Sequence, residues 1–172
     1  MNLKFSKLLY RFVDALMVRS SFPIFGKLAN KIRVFFGRRI SKSISKKSFI
    51  EKGAKFGANV EIKDYGCVGI NCDLGDNVSI GIHTMMGPNC HFFSTNHKRK
   101  ENGFEGTTDI KRIVVGDYCW IGYGCIFCSG SMIGNNSTIG AGSVVTKQFG
   151  DNVLVAGNPA IIKKTYRKIA NE

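Results

Sequence analysis

An apolar side chain returns every six residues through most of this chain. Ile50, Phe56, Ile62, Val68, Leu74, Ile80, Met86 and Phe92 form one register; Val115, Ile121, Phe127, Ile133, Ile139 and Val145 resume it after a break. In a chain that is 44% hydrophobic, such an unbroken run arises by chance on the order of once in a hundred thousand trials per register, so the period is a true repeat. Six residues are too few for a helix and its return, but they suit a short strand and a turn wound repeatedly about one axis, a β-solenoid. Glycine follows the apolar residue in nine units (Gly57, Gly69, Gly75, Gly81, Gly87, Gly116, Gly122, Gly134, Gly140), and the fifth position is small in twelve. Tight turns and small inward fillers follow from that pattern. Three units per coil would give a triangular prism; the period alone leaves the number of sides and the hand of winding open.

A length of 172 residues suits one domain with an appendage. The chain has no apolar run of the ~18 to 20 residues that span a bilayer, and Arg11 and Asp14 interrupt the stretch after Lys7, so neither a transmembrane helix nor a signal peptide is expected. The expected location is the cytoplasm, with peripheral contact at the inner face of the membrane as an option. Cys72, Cys90, Cys119 and Cys125 occupy fifth positions, where a thiol is a compact apolar filler, and Cys125 with Cys128 is not expected to bind metal. Six cysteines used this way suit a reducing compartment.

Charge divides the chain. Residues 1–47 carry twelve Lys or Arg against Asp14, a net +11, whereas residues 48–172 carry thirteen against eleven, a net +2. Residues 1–48 read as a basic helical segment. Phe5, Leu8, Leu9, Phe12, Val13 and Leu16 lie on one helical stripe with Lys4, Lys7, Arg11 and Asp14 off it. Ser20, Ser21 and Pro23 signal a stop and a new start, after which Ile24, Phe25, Leu28, Ile32, Phe35 and Phe36 repeat the stripe until Gly37. Residues 49–155 read as the solenoid, with a polar excursion, a loop, over 98–113. Residues 156–172 read as a turn and a short helix capping the core, on the spacing of Ile161, Ile162, Tyr166 and Ile169.

Of three histidines, His83 and His91 fall near corners of the repeat and are expected to be solvated turn residues. His97 is the last residue before the ladder stops, with a wall on one side and a cover on the other. Imidazole there could accept a proton near neutral pH.

The hexapeptide array resembles the left-handed β-helix acyltransferases, together with Ser94-Thr95-Asn96-His97 opening a loop, Cys119-Trp120-Ile121-Gly122, IGAGSVVTK from Ile139 to Lys147 and AGNPA from Ala156 to Ala160. The galactoside, maltose and xenobiotic O-acetyltransferase group, with enzymes of cell-surface polysaccharide and lipopolysaccharide synthesis, is the nearest likeness, over residues 50–164. The resemblance implies a left-handed parallel β-helix, a homotrimer, and transfer of acetyl from acetyl-CoA, as co-substrate and without metal, to a sugar hydroxyl. It implies that His97 is the general base, and that Trp120 lines the acceptor and CoA cleft. Asn71 corresponds by register to an acceptor-binding asparagine, and Asn89 lies eighteen residues further on. Gly122, Tyr123, Ala141, Thr146 and Lys147 would meet the pantetheine and nucleotide of CoA. Lys163 and Lys164 would face its phosphates.

Residues 1–48 depart from the galactoside and maltose enzymes and give no support for a free disaccharide; the expected acceptor is a glycan or glycan precursor. The basic segment either lies on an anionic membrane where lipid-linked glycans are built, or packs against the solenoid or a neighbouring subunit. The same residues bear on other functions. A zinc hydratase would need His83, His91 and His97 to converge and leaves IGAGSVVTK without a role. A serine-type acetyltransferase lacks its second histidine motif, since Val115 to Trp120 holds none. Nucleic-acid binding is not expected, because the aromatic residues of the basic segment follow helical stripes and form no stacking platform.

Overall fold

A computed structural model describes residues 2–20, 22, 25–41 and 43–167. Strands of two or three residues stack in parallel: Ile62 lies beside Ile80, Ile121 beside Ile139, and Phe127 beside Val145. Each partner is eighteen residues away, so a coil is three hexapeptides and the cross-section has three sides.

The first face stacks Val60–Ile62, Val78–Ile80, Ile113–Val115, Met132–Ile133 and Gln148–Phe149. The second stacks His91–Phe93, Ile126–Cys128 and Val144–Val145. The third runs from Met85–Met86 through Trp120–Ile121 and Thr138–Ile139 to Val153–Gly157, closed by Ala160–Thr165. Every residue of the hexad register is buried, and so are the small fifth residues from Cys72 through Ser143, apart from Asn96. Phe92 and Phe127 stack face to face at 4.4 Å. Each such side chain contributes ~1.5–3 kcal/mol on burial, a core no single unit could form.

The turns are left-handed at fixed places. Asn71 and Asn89 share one corner with Gly124 and Gly142; their φ values of 54°, 57°, 67° and 70° are those that asparagine and glycine tolerate best. At another corner Tyr65, His83 and Tyr118 adopt φ of 58°, 52° and 56°, and their rings stack at 4.6 and 5.4 Å.

Two expectations are corrected. Residues 98–113 leave the prism as expected, but as paired strands in place of a loop: Thr95–Lys100 pairs antiparallel with Gly103–Ile110. Asn102-Gly103 is a strong hairpin signal, and Gly103 has φ 125°. The 156–172 capping helix is also replaced, since Ala160–Thr165 is a strand antiparallel to Val153–Gly157. The last coil offers an open row of backbone donors and acceptors, and the returning chain satisfies them as a strand where a helix would not. Ile169, part of that expected helix, lies outside the described residues.

Helices α1 (Leu3–Leu16) and α2 (Gly26–Gly37) precede the first coil. Pro23 and Ile24, read as the start of the second helix, lie outside the described residues. The buried residues of α1 are Ser6, Tyr10 and Asp14, whereas Phe5, Leu8, Phe12 and Leu16 are exposed. Polar chemistry holds this orientation. Arg33, fully buried, donates from Nε to Asp14 Oδ1 at 2.5 Å and from Nη1 to Ser20 Oγ at 2.9 Å. The other Asp14 oxygen accepts from the backbone of Gly53 at 2.8 Å, and Ser20 Oγ donates to the Ile50 carbonyl at 2.9 Å.

Candidate active site

The excursion hairpin leaves the prism at the corner between the second and first faces. It does so without shifting the phase of the coil: Ile80 pairs with Val115 and Met86 with Ile121, each across thirty-five residues, and the ladder continues unchanged. Lys111 N donates to Ser94 O at 3.0 Å and Ser129 Oγ donates to the same carbonyl at 2.8 Å, closing the base of the hairpin. His97 sits in the exposed strand Thr95–Lys100.

Its imidazole Nδ1 lies 3.2 Å from the carbonyl oxygen of Glu105 on the facing strand. A carbonyl oxygen can only accept, so Nδ1 carries the hydrogen of the neutral ring and the Nε2 lone pair is left for another proton. The backbone N–H of His97 donates to Asn96 Oδ1 at 3.0 Å, and an ion pair between Lys100 and Glu105 ties the two strands further along. Glu105 escaped the sequence reading because a main-chain carbonyl has no residue signature; only the Asn102-Gly103 turn, by pairing the strands, could have pointed to it.

The other candidates fall into three places. Asn71, Asn89, Gly122, Tyr123 and Ala141 gather at or beside the corner between the third and second faces. There Asn89 Nδ2 donates to Tyr123 Oη at 2.9 Å. Gly122 is required by close approach, since a Cβ there would lie 2.6 Å from the Ala141 nitrogen. Asn71 and Asn89 do stack, as three units per coil demands, and their left-handed backbone gives both a role in the turn itself. Trp120, exposed, lies on the third face between Met85 and Thr138. Lys164 lies further along that face beside Leu154, with its Nζ 5.7 Å from the Tyr166 ring, and Lys163 is exposed next to it. Thr146 and Lys147, both exposed, sit at the hairpin's own corner, where Lys147 Nζ is 5.5 Å from the Phe149 ring. The hairpin's corner is opposite the third face. One chain therefore brings His97 to the edge that holds Thr146 and Lys147, and does not bring it to Trp120.

The remaining histidines are occupied differently. His83 is stacked between Tyr65 and Tyr118. His91 is not at a corner: it belongs to the strand His91–Phe93, beside Ile126, with its ring parallel to that of Phe93. Among the described residues no three His, Cys, Asp or Glu side chains are grouped to hold a metal ion. Two interior thiols are poor nucleophiles, since burial pushes Cys119 up from its ordinary value and the Cys90 sulfur followed by burial does the same to Cys125, whereas the hydrogen bond with Cys90 lowers Cys72.

Known proteins share this frame. Residues 112–147 match the family described as bacterial transferase hexapeptide (six repeats). A candidate acetyltransferase of Dictyostelium discoideum is 34% identical over 142 residues, covering 72% of this chain and 72% of that protein. Galactoside O-acetyltransferase of Lactococcus lactis is 33% identical over 133 residues, covering 74% of this chain and 64% of the relative. The chain spans between 53% and 64% of the length of three of the curated relatives it matches. Among solved structures, a hexapeptide-repeat acetyltransferase of Vibrio cholerae complexed with acetyl coenzyme A superposes with a TM-score of 0.69 at 21% identity, over 96% of this chain and 88% of that one.

Proposed function

The chain belongs to the hexapeptide-repeat acetyltransferase family, and on that premise we propose that it transfers acetyl from acetyl-CoA to a sugar hydroxyl, on a cell-surface polysaccharide or lipopolysaccharide precursor. The observation that carries this is the His97 ring, with Nδ1–H engaged by the Glu105 carbonyl and Nε2 unengaged by it. Nε2 takes the hydroxyl proton as the acceptor oxygen attacks the thioester carbonyl carbon. The carbon–sulfur bond then breaks, and the imidazolium returns its proton to the departing thiolate. A base positioned in this way contributes ~10²–10⁴-fold.

The winding is read as left-handed and the working unit as a homotrimer. Support for the trimer comes from the separation of the candidates: one copy's hairpin corner, with His97, Thr146 and Lys147, would face another copy's Trp120 and the corner of Asn71, Asn89, Gly122, Tyr123 and Ala141. Lys163 and Lys164 would meet the CoA phosphates. The similarity to galactoside O-acetyltransferase supports a sugar acceptor. A cytoplasmic site of action follows from the use of acetyl-CoA, with residues 1–48 acting as a basic helical segment, residues 49–155 as the catalytic prism, and the strand Ala160–Thr165 closing it.

Labelled acetyl-CoA, a panel of surface-glycan precursors and the His97→Ala variant test the reading. Transfer is expected from the parent protein and a loss of ~10²–10⁴-fold from the variant. Full transfer by His97→Ala would remove the base assignment. Mixing His97→Ala with Trp120→Ala copies should restore part of the activity if the site is shared; no restoration counts against the shared site.

A further inference from the structure

We propose that the outward face of α1 and α2 docks on an anionic phospholipid surface, with the helices lying in its plane. The contact does not depend on the chemistry at His97. Phe5, Leu8, Phe12 and Leu16 follow one line along α1 and are 54%, 67%, 64% and 67% exposed. Leu28 and Phe35, one heptad apart on α2, are 57% and 55% exposed, with Phe25 just before the helix at 57%. α1 packs against α2, and the Asp14–Arg33 pair with its bond to Gly53 holds α1 so that its apolar line cannot roll inward.

The charge around these residues selects the occupant. Lys4, Lys27 and Lys31 are exposed on the same two helices, and residues 1–47 carry a net +11. A second copy seated on this face would bring two such charges together, whereas a bilayer rich in acidic headgroups offers both the opposite charge and an apolar layer beneath it. No helix among the described residues is long and apolar enough to cross a membrane, so the helices rest at the interface.

Flotation of the whole protein with phosphatidylcholine vesicles and with vesicles containing phosphatidylglycerol decides it. The protein is expected to float with the acidic vesicles and to come off as salt rises. Leu8→Ser/Phe12→Ser/Leu16→Ser, whose fold is checked by circular dichroism, should lower partitioning by about tenfold or more. Lys4→Gln/Lys27→Gln/Lys31→Gln should lower it by about tenfold on acidic vesicles and flatten the salt dependence. Equal flotation of the parent and the serine variant, or no flotation at all, overturns the proposal. So does a change of oligomeric state in the serine variant by light scattering, which makes the face a subunit contact. Acetyl transfer to a soluble acceptor, measured in parallel, keeps a failure here separate from a failure at His97.

Discussion

The prism and the helical pair solve burial in opposite ways. In the prism every hexad residue points inward and polar groups form the corners. In α1 the buried residues are Ser6, Tyr10 and Asp14, and the large apolar side chains point out. The prism is held by area removed from water, which is non-directional and adds up along the ladder. The helical pair buries few apolar side chains, Tyr10, Ala29 and Val34 among them, and is pinned by directional bonds around Asp14, Arg33 and Ser20. Amphipathic spacing therefore identifies which residues share a face, but not whether that face meets the core.

The contrast can be broken where each region is strongest. Phe127→Ala opens a cavity beneath Phe92 and should cost ~3–5 kcal/mol in chemical denaturation. Arg33→Met leaves the Asp14 carboxylate buried without its partner and should cost a similar ~3–5 kcal/mol. The double change Asp14→Leu/Arg33→Met should recover much of that loss, because it removes the unpaired charge. If Arg33→Met alone were neutral, the helical pair would be held by packing, and the contrast would disappear.

Hydrogen-ion linkage sharpens it more gently. The thiols of Cys119 and Cys125 are raised in the folded prism above the ordinary 9.0, so the folded state keeps protons that the unfolded chain releases. Their contribution to stability is complete below about pH 9 and declines as pH rises beyond it. Denaturation midpoints measured across alkaline pH should fall, and Cys119→Ala should make the fall shallower. The smallest effect belongs to the outward line of α1: Leu8→Ser should change stability by no more than ~0.5 kcal/mol. A loss as large as that of Phe127→Ala would mean that Leu8 is core, and would end the comparison.

The prism was legible because its signal is redundant: Ile50 through Val145 repeat one instruction, and every coil confirms the last. Nothing comparable marks α1. Asp14, the lone acid of the basic segment, was visible as an oddity, yet its pairing with Arg33 depends on the return of the chain and cannot be read from spacing. The C-terminal strand was missed because Ile161 and Ile162 fit a helical stripe, while the open edge that recruits them exists only after the last coil has formed. The position of His97 in the excursion was legible from its place at the end of the ladder. The group that orients it is a peptide carbonyl, which belongs to no residue type.

The excursion at Ser94 enters and leaves without changing the coil count, so Ile80 finds Val115 as readily as Ile62 finds Ile80. Such a junction works as a socket. Hairpins of other lengths and compositions can be fitted there while the tower above and below keeps its alignment, so whatever the excursion meets can change without disturbing the scaffold that carries it.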